Sequence, residues 1–500
     1  MRKAKLFLIN VVILTSTAIL MQTIGISFSV YISNKIGAES VGLFGLIMSV
    51  YSFAITLATS GINLASTRIV SEEIAKDKKN GAIKAIKQCI LFSLICGVIA
   101  SLLILTFSDF IIKVCLHNKI TVTPLYFIAF SLPFISMSAS INGYFSATRK
   151  VFKTASSQLL EIIFKIILTC TLLNIFLPKG LDYACICLVI GTCVSEAFSF
   201  FYIFILYLID KRKLANKEKN TENYIKPILN ICVPIAITSY IRSGLSTLKQ
   251  LIVPTRLEKS GLSCSEALSK YGLISGMVLP ILLFPSVFIN SFAGLLIPEF
   301  SSLFVTKNYK RINTLTSRIF KTTFMFSAGI FGIFMTFYDD LGTIIYNSSE
   351  VSKFLLLLSP AVLIMYIDTV VDGMLRGLNE QVNVMKCNIL DLFVSTTLLY
   401  FLLPVYSIYG YILVIYISEL LNGILSIKQL VKVTKLKIKY FSWIFKPVGA
   451  ALLTRYIITF INLDTASNIF SLIIKIIIFL AIYIALLFIT QCMNKKDLKI

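Results

Sequence analysis

The sequence predicts an all-α polytopic membrane protein with about 14 transmembrane helices, and three observations support this fold class. Of the 500 residues, 57% are hydrophobic and only 14% are charged, whereas soluble domains have roughly 25% charged residues. The apolar residues form blocks of about twenty, which is the length of a bilayer-spanning helix. Short charged stretches separate the blocks, and none of them could hold a soluble catalytic domain of ordinary size.

The apolar blocks define the predicted spans, which we number 1 to 14 in chain order. Most of the 47 Lys and Arg residues lie in the even-numbered connections and the C-terminal tail. Under the positive-inside rule, this alternation predicts that both termini are cytoplasmic. The approximate ranges of the spans are 6–33, 41–67, 87–107, 122–145, 156–177, 181–208, 227–253, 270–296, 318–338, 353–375, 387–404, 408–430, 443–462 and 468–491.

The composition also bears on cofactors and partners. The net charge is +23, but the basic residues lie in short connections, so we attribute them to the positive-inside bias and not to nucleic-acid binding. The single histidine, His117, leaves almost no material for His-dependent zinc sites or His-based triads. Most cysteines lie inside apolar spans, where cysteine behaves as a small hydrophobic residue. We therefore predict no metal, no cofactor and no catalytic residue.

The two halves of the chain contain an internal repeat. An offset of roughly 230 residues aligns three pairs in order, namely Gly143 with Gly373, Glu161 with Asp391, and Glu196 with Glu419. Six spans per half is an even number, so the halves are parallel repeats, as in carriers that use alternating access. The predicted domains are an N-terminal six-helix lobe at 1–208, a basic cytoplasmic linker at 209–226, a C-terminal six-helix lobe at 227–430, and two additional helices with a basic tail at 431–500.

Span 7 contains the most informative polar residues. Ser239, Arg242, Ser246 and Lys249 follow one another at spacings of three, four and three, which places them on one face of a helix. A cation inside a span costs about 2.5–3.5 kcal/mol, so it needs a partner, water or a function. A cavity lined by these residues would suit a phosphate-bearing substrate. The alternative is a structural role, through pairing with acids on neighbouring helices or snorkelling of the lysine.

Spans 5 and 10 contain further ionisable residues with two interpretations each. Asp368 and Asp372 of span 10 are one helical turn apart and could share a proton or hold a coupling cation. Alternatively, Asp372 pairs with Arg376. In span 5, the polar residues Gln158, Glu161 and Lys165 share a face that could line a cavity, although the glutamate and the lysine can also neutralise each other.

Several motifs resemble those of a known family. They are IGAESVGLF at 36–44, GYF at 143–145, SQLLE at 157–161, LIVPTRL at 251–257 and LIPE at 296–299. In these motifs the chain is similar to the stage V sporulation protein B family of the MATE-like exporter superfamily, near the MviN-type lipid II flippases. The resemblance implies a V-shaped pair of six-helix lobes in a bacterial cytoplasmic membrane. It also implies an undecaprenyl-diphosphate-linked oligosaccharide or peptidoglycan precursor as substrate, with cell-wall or cortex synthases as partners.

The function predicted from the sequence is therefore a flippase for such a precursor, serving spore cortex or cell-surface polysaccharide synthesis. No nucleotide-binding P-loop motif is present, so the energy would come from an ion gradient. One alternative is a drug/cation antiporter of the same superfamily, for which acidic cavity residues should outweigh basic ones. Another is a membrane glycosyltransferase or polymerase, but the outward loops, which offer Asp339, Asp340 and Glu350, are short and lack a recognisable acid–base arrangement.

Overall fold

The computed structural model describes residues 2–76, 78–115, 122–179, 181–214, 223–436, 441–461 and 468–492, and these residues form helices and no strand. His117, residues 215–222 of the predicted basic linker and the tail after residue 492 lie outside the described residues. The α-helices are Arg2–Thr59, Ile62–Ala75, Lys79–Thr106, Ser108–Phe110, Thr123–Ala147, Val151–Phe176, Leu181–Leu214, Ile225–Glu258, Cys264–Gly272, Leu279–Leu283, Ser286–Val305, Tyr309–Tyr346, Ser349–Leu358, Val362–Gly377, Gln381–Thr434, Lys446–Phe460 and Ile469–Ile489.

The two longest helices each contain the junction between two of the predicted spans. Spans 1 and 2 meet at Gly37, which has φ 75° and ψ 168°, a conformation that glycine adopts without steric cost. Spans 11 and 12 meet at Ser407, with φ 51° and ψ −134°. Neither junction contains a loop of several residues, although the sequence predicts connections there.

Spans 2 and 8 each run through a local break in their helix. Span 2 passes Gly61 at φ 78°, and span 8 passes Pro285, whose backbone remains right-handed. Span 4 runs alongside span 2 past the break at Gly61. Its Ser131 bonds to Tyr51 before the break, and its Ser140 bonds to Ser66 after it. Span 10 likewise follows span 8 past Pro285, since Tyr366 donates to the Leu282 carbonyl before it and Gly373 faces the Ala293 carbonyl after it. The chain therefore keeps its direction at both breaks, and each of these stretches is one span.

Twelve stretches of the described residues are long and apolar enough to cross a membrane. Two of these stretches each hold a pair of spans, 1–2 and 11–12, whereas span 8 makes up two of the twelve stretches. Span 13 is a shorter helix, Lys446–Phe460, which a π-helical turn, Phe441–Phe445, precedes. The fourteen helices predicted from the apolar blocks are thereby confirmed.

The internal repeat is also visible in how helices pack. A Cβ atom on Gly143 would lie 2.5 Å from the Asn63 carbonyl oxygen of span 2, and a Cβ on Gly373 would lie 2.9 Å from the Ala293 carbonyl oxygen of span 8. Both members of the second pair follow the first by the same offset of roughly 230 residues. Each half thus uses an equivalent glycine to bring two helix backbones together.

The chain divides into two compact units. The first contains residues 1–28 and 39–251, and the second contains residues 29–38 and 252–500. This division follows packing, and the lobe and linker boundaries inferred from the repeat stay a prediction. In the second unit, spans 13 and 14 pack on span 9, where Gly332 leaves room for Phe479 and the Tyr483 hydroxyl donates to the Met325 carbonyl at 2.8 Å.

Candidate functional site

One side of span 7 packs on span 2 within the first unit. The Tyr240 hydroxyl donates to the Leu57 carbonyl at 3.0 Å, and the Thr247 hydroxyl donates to the Ser49 carbonyl at 3.1 Å. Between them, the Ser243 hydroxyl lies 3.1 Å from the hydroxyl of Thr56. These bonds fix the rotation of span 7 about its axis.

The remaining surface of span 7 has an apolar side and a polar side. The apolar side includes the exposed side chains of Val233, Ile237, Ile241 and Leu248. At about 100° per residue, the predicted stripe of Ser239, Arg242, Ser246 and Lys249 falls on a third side, away from both the packed and the apolar sides. Arg242 is exposed and the other three are half-buried. The helix therefore separates this polar stripe from the surface suited to lipid.

The second unit contains a buried polar cluster built from spans 10, 11 and 12. Asp368 and Asp372 of span 10 are each 9% exposed. The side-chain amide of Asn422 donates to Oδ2 of Asp368 at 2.7 Å and to Oδ1 of Asn388 at 3.1 Å. The Ser426 hydroxyl lies 3.4 Å from Oδ1 of Asp372. Three helices thus converge on two carboxylates.

The charge of this cluster is only partly balanced by Arg376. A guanidinium nitrogen of Arg376 lies 3.6 Å from Oδ2 of Asp372, and half of the arginine side chain is exposed. Among the described residues, Oδ1 of Asp368 and Oδ1 of Asn422 are buried without a hydrogen-bond partner. Buried polar atoms are normally satisfied. Two acceptor oxygens in this state can take up a proton or a hard cation, which prefers oxygen ligands.

The first unit contains a second polar cluster, on spans 5 and 6. Glu161 and Lys165 lie one turn apart on the helix Val151–Phe176, so their side chains share a face. The Ser199 hydroxyl of span 6 lies 2.9 Å from the hydroxyl of Ser157 in span 5. Gln158 on the same helix is exposed. Both interpretations of Glu161 and Lys165, as a cavity lining or as a mutually neutralising pair, therefore stay predictions.

The carboxylate of Glu196 in span 6 receives a hydrogen bond from a different helix. It accepts a hydrogen bond from the Tyr51 hydroxyl of span 2, which is also 3.1 Å from the Ser131 hydroxyl of span 4. This arrangement links three helices through the hydroxyl group of Tyr51.

Sequence reasoning located Asp368 and Asp372 on one face but missed Asn388, Asn422 and Ser426. A usable signal was present, because Asn388 stands at the repeat position of Gln158. Among the described residues no group of three His, Cys, Asp or Glu side chains is arranged to hold a metal ion. An oxygen site for a single monovalent cation or proton needs no such group.

The helical fold and the duplicated packing contacts define a multi-span membrane protein with two repeated halves. The structure resembles the lipid II flippase MurJ in an inward closed conformation, with a TM-score of 0.67 at 18% identity, over 95% of this chain and 98% of that one. It also resembles an inward-facing MATE multidrug resistance transporter of the MOP superfamily, with a TM-score of 0.65 at 14% identity, over 83% and 96% of the two chains. These likenesses confirm the predicted fold.

The chain belongs to the polysaccharide biosynthesis protein family, whose sequence pattern matches residues 7–304. It is 24% identical over 440 residues to stage V sporulation protein B of Bacillus subtilis (strain 168), covering 87% of this chain and 85% of that protein. It is 22% identical over 459 residues to the lipid II flippase MurJ of the same organism, covering 83% and 81%. The resemblance predicted from short motifs is confirmed.

Proposed function

We propose that this protein is a flippase that moves the polar head of an undecaprenyl-diphosphate-linked oligosaccharide or peptidoglycan precursor across a bacterial cytoplasmic membrane by alternating access. The observation that carries the proposal is the polar stripe of span 7, with Arg242 exposed on a side that neither packs nor is apolar. Family membership and the similarity to a lipid II flippase support the same substrate class. In this proposal the protein is a transporter and not an enzyme.

The stripe has the chemistry to hold a diphosphate. The guanidinium group of Arg242 can donate two parallel hydrogen bonds to one phosphate group, and the Lys249 ammonium adds a second positive charge. The hydroxyl groups of Ser239 and Ser246 lie between and beside these cations on the same helical face. Gln158 of span 5, which is exposed, adds a neutral hydrogen-bonding group in the first unit.

The cluster around Asp368 and Asp372 is the proposed coupling site. Oδ1 of Asp368 and Oδ1 of Asn422, which are buried without a donor in the part of the chain that the structure describes, would bind a proton or a monovalent cation. Binding and release of that ion would drive the return of the empty carrier.

We further propose that both termini are cytoplasmic, that cell-wall or cortex synthases use the product, and that the pathway serves spore cortex or surface polysaccharide. The similarity to stage V sporulation protein B supports the link with sporulation.

The direct test uses purified protein in proteoliposomes with a lipid-linked precursor, and measures its movement between leaflets. Arg242→Ala should abolish movement, while Arg242→Lys should retain a fraction because an ammonium lacks the planar fork. Arg68→Ala is the matched control, because Arg68 is an exposed arginine that pairs with Glu72 at 2.9 Å. If Arg242→Ala protein is stable and transports normally, the stripe does not bind the substrate.

Drug/cation antiport is the second candidate, and the buried acidic cluster at Asp368 is the observation that favours it. An antiporter would bind the drug and the coupling cation at carboxylates in turn. The same proteoliposomes distinguish the two functions. Gradient-driven uptake of an organic cation, without movement of the lipid-linked precursor, would support antiport and contradict the flippase.

A further inference from the structure

Arg256, in the last turn of the helix that contains span 7, stacks on an aromatic ring of span 11. Its guanidinium carbon lies 3.3 Å from the centroid of the Tyr400 ring, and both residues belong to the second unit. The helix ends at Glu258, and Arg256 is half-buried. Because stacking occupies only the flat face of a guanidinium group, the N–H donors along its edge stay available. Tyr400 therefore holds Arg256 in place without using its donors.

The positive charge of Arg256 is not balanced by an acid in the part of the chain that the structure describes. Its guanidinium group forms no ion pair and no hydrogen bond with any of those residues. The nearest acid along the chain, Glu258, is two residues away, and residues at that spacing do not face each other on a helix. Polar groups in a partly buried position normally find a partner. A ligand with negatively charged oxygen atoms would supply it.

Tyr400 lies on the side of span 11 that is suited to lipid. The exposed large apolar side chains of this span recur at a spacing that places them on one face of the helix. In a spanning helix, an exposed apolar face of this kind contacts the acyl chains of the bilayer. The Arg256–Tyr400 pair is therefore at a boundary with lipid. The exposed apolar side chains of span 11 are Leu390, Phe393, Tyr400 and Phe401.

The same pair also lies near one surface of the membrane. Span 11 ends at the Ser407 junction, seven residues after Tyr400, or about 10 Å further along the helix. Beside the junction, the Lys353 ammonium donates to the hydroxyl of the exposed Tyr409 at 3.1 Å. Tyrosines and basic residues collect at the level of the lipid headgroups. An arginine side chain at this depth can reach the phosphate groups of lipids.

We infer that Arg256, stacked on Tyr400, binds the phosphate group of an anionic phospholipid, with phosphatidylglycerol as the ligand to be tested. The edge of the guanidinium group can donate two parallel hydrogen bonds to one phosphate group. The acyl chains lie on the apolar face of span 11, so the site matches both parts of one lipid molecule. Phosphatidylglycerol neutralises the charge of Arg256, whereas phosphatidylcholine brings a cation of its own. This inference does not depend on the proposed transport.

The test measures which lipids contact the apolar face of span 11. The chain has one tryptophan, Trp443, so Trp443→Phe combined with Phe393→Trp leaves a single reporter on that face. Phe393 is 63% exposed and lies about 10 Å from Tyr400 along the helix. The full-length protein is reconstituted in phosphatidylcholine with rising fractions of brominated phosphatidylglycerol or brominated phosphatidylcholine. Because bromine quenches tryptophan fluorescence on contact, the two quenching curves give the preference for the anionic lipid.

We expect the reporter protein to prefer phosphatidylglycerol roughly five-fold at low ionic strength. Arg256→Gln should abolish the preference. Arg256→Lys should retain part of it, because an ammonium group lacks the planar fork. Arg311→Gln is the matched control, because it removes an exposed arginine that has a protein partner, Glu299, at 3.8 Å. That variant should keep the full preference.

A second reporter tests whether the effect is local. Ile477→Trp, at a 59% exposed position of span 14, replaces Phe393→Trp in the Trp443→Phe background. Arg256→Gln should leave the lipid preference measured at this position unchanged. An equal change at both reporters would reveal a general effect of net charge and overturn the inference.

Three further outcomes would overturn it. One is the absence of a preference in the reporter protein, and another is an equal preference with and without Arg256→Gln. If Arg256→Gln does not accumulate, an equal preference in Arg256→Lys and in the unaltered reporter protein has the same meaning. The third is displacement of brominated phosphatidylglycerol by undecaprenyl diphosphate equimolar with the protein. Displacement would assign the site to the transported precursor, whereas the other outcomes leave the proposed function untouched.

Discussion

Asn422 donates a hydrogen bond to Oδ2 of Asp368 at 2.7 Å, which joins span 12 to span 10 at a carboxylate whose other oxygen is buried without a donor among the described residues. If that oxygen binds the coupling ion, Asp368→Asn should lower the gradient-driven transport rate to the rate without a gradient. The measurement is transport into proteoliposomes with and without a Na⁺ or H⁺ gradient. Asp109→Asn, at an exposed acid of the first unit, is the control. Unchanged gradient dependence in Asp368→Asn would remove this carboxylate from coupling.

The paired glycine contacts predict matched losses of stability in the two units. A Cβ on Gly143 or on Gly373 would press into a facing backbone carbonyl, so alanine at either position should destabilise the protein by about 1–3 kcal/mol. Gly294→Ala is the control, because among the described residues no atom beyond the adjacent stretch of its own helix lies within 4 Å of the added carbon. There the better helix propensity of alanine should stabilise the protein by up to about 1 kcal/mol. Equal thermal unfolding temperatures for all three variants would show that the close approach is unimportant.

The carboxylate of Asp210 should make a large contribution to stability for a single ionic residue. It is 3% exposed and accepts hydrogen bonds from Tyr144 at 2.9 Å, from Lys150 at 2.5 Å and from Lys153 at 3.1 Å. Asp210→Asn leaves both ammonium groups without a carboxylate and should cost about 1.5–3 kcal/mol.

Glu72→Gln is the comparison for Asp210. It removes an ion pair in which both side chains are more than half exposed, so the cost should be at most about 1 kcal/mol. Denaturation of the two variants in the same detergent measures the difference. Equal losses would mean that burial does not strengthen the Asp210 interactions.

The predicted topology can be tested by labelling single cysteines in a protein without native cysteines. Cysteine at Lys259, after span 7, should react with an impermeant external reagent. Cysteine at Lys310, before span 9, should be protected, because basic connections are retained on the cytoplasmic side. Cysteine at Lys217, in the linker outside the described residues, should also be protected. The reverse pattern would invert the proposed orientation.

The spans could be predicted from the sequence because membrane thickness fixes the length of an apolar block. The junctions could not. Gly37 and Ser407 each change the chain direction within one residue. A polar loop can be recognised from its composition, but a single residue with an unusual backbone conformation cannot. At Gly37 the glycine was a usable hint, whereas a serine with positive φ is uncommon.

The residues of the candidate site could also be predicted only in part. Residues on one helix, such as Asp368 and Asp372, could be grouped because helical periodicity relates them. Asn422 could not be assigned to them from spacing, since it comes from another span and contacts Asp368 across 54 residues. Tyr51 was missed as the donor to Glu196 for the same reason, with 145 residues between them. Tertiary contacts of this kind depend on helix packing that no local pattern encodes.

The loopless junction at Ser407 has a consequence for biosynthesis. Spans 11 and 12 fold back on each other, since Ser418 donates to Asp391 at 2.7 Å and Asn422 donates to Asn388 at 3.1 Å. A carboxylate delivered to the lipid on a solitary helix would cost about 2.5–3.5 kcal/mol. Because no loop of several residues separates them, we expect the two helices to enter the membrane together as one hairpin. In such a hairpin Asp391 would enter the lipid already hydrogen-bonded to Ser418, so this bond would lower the cost of insertion as well as stabilise the finished fold.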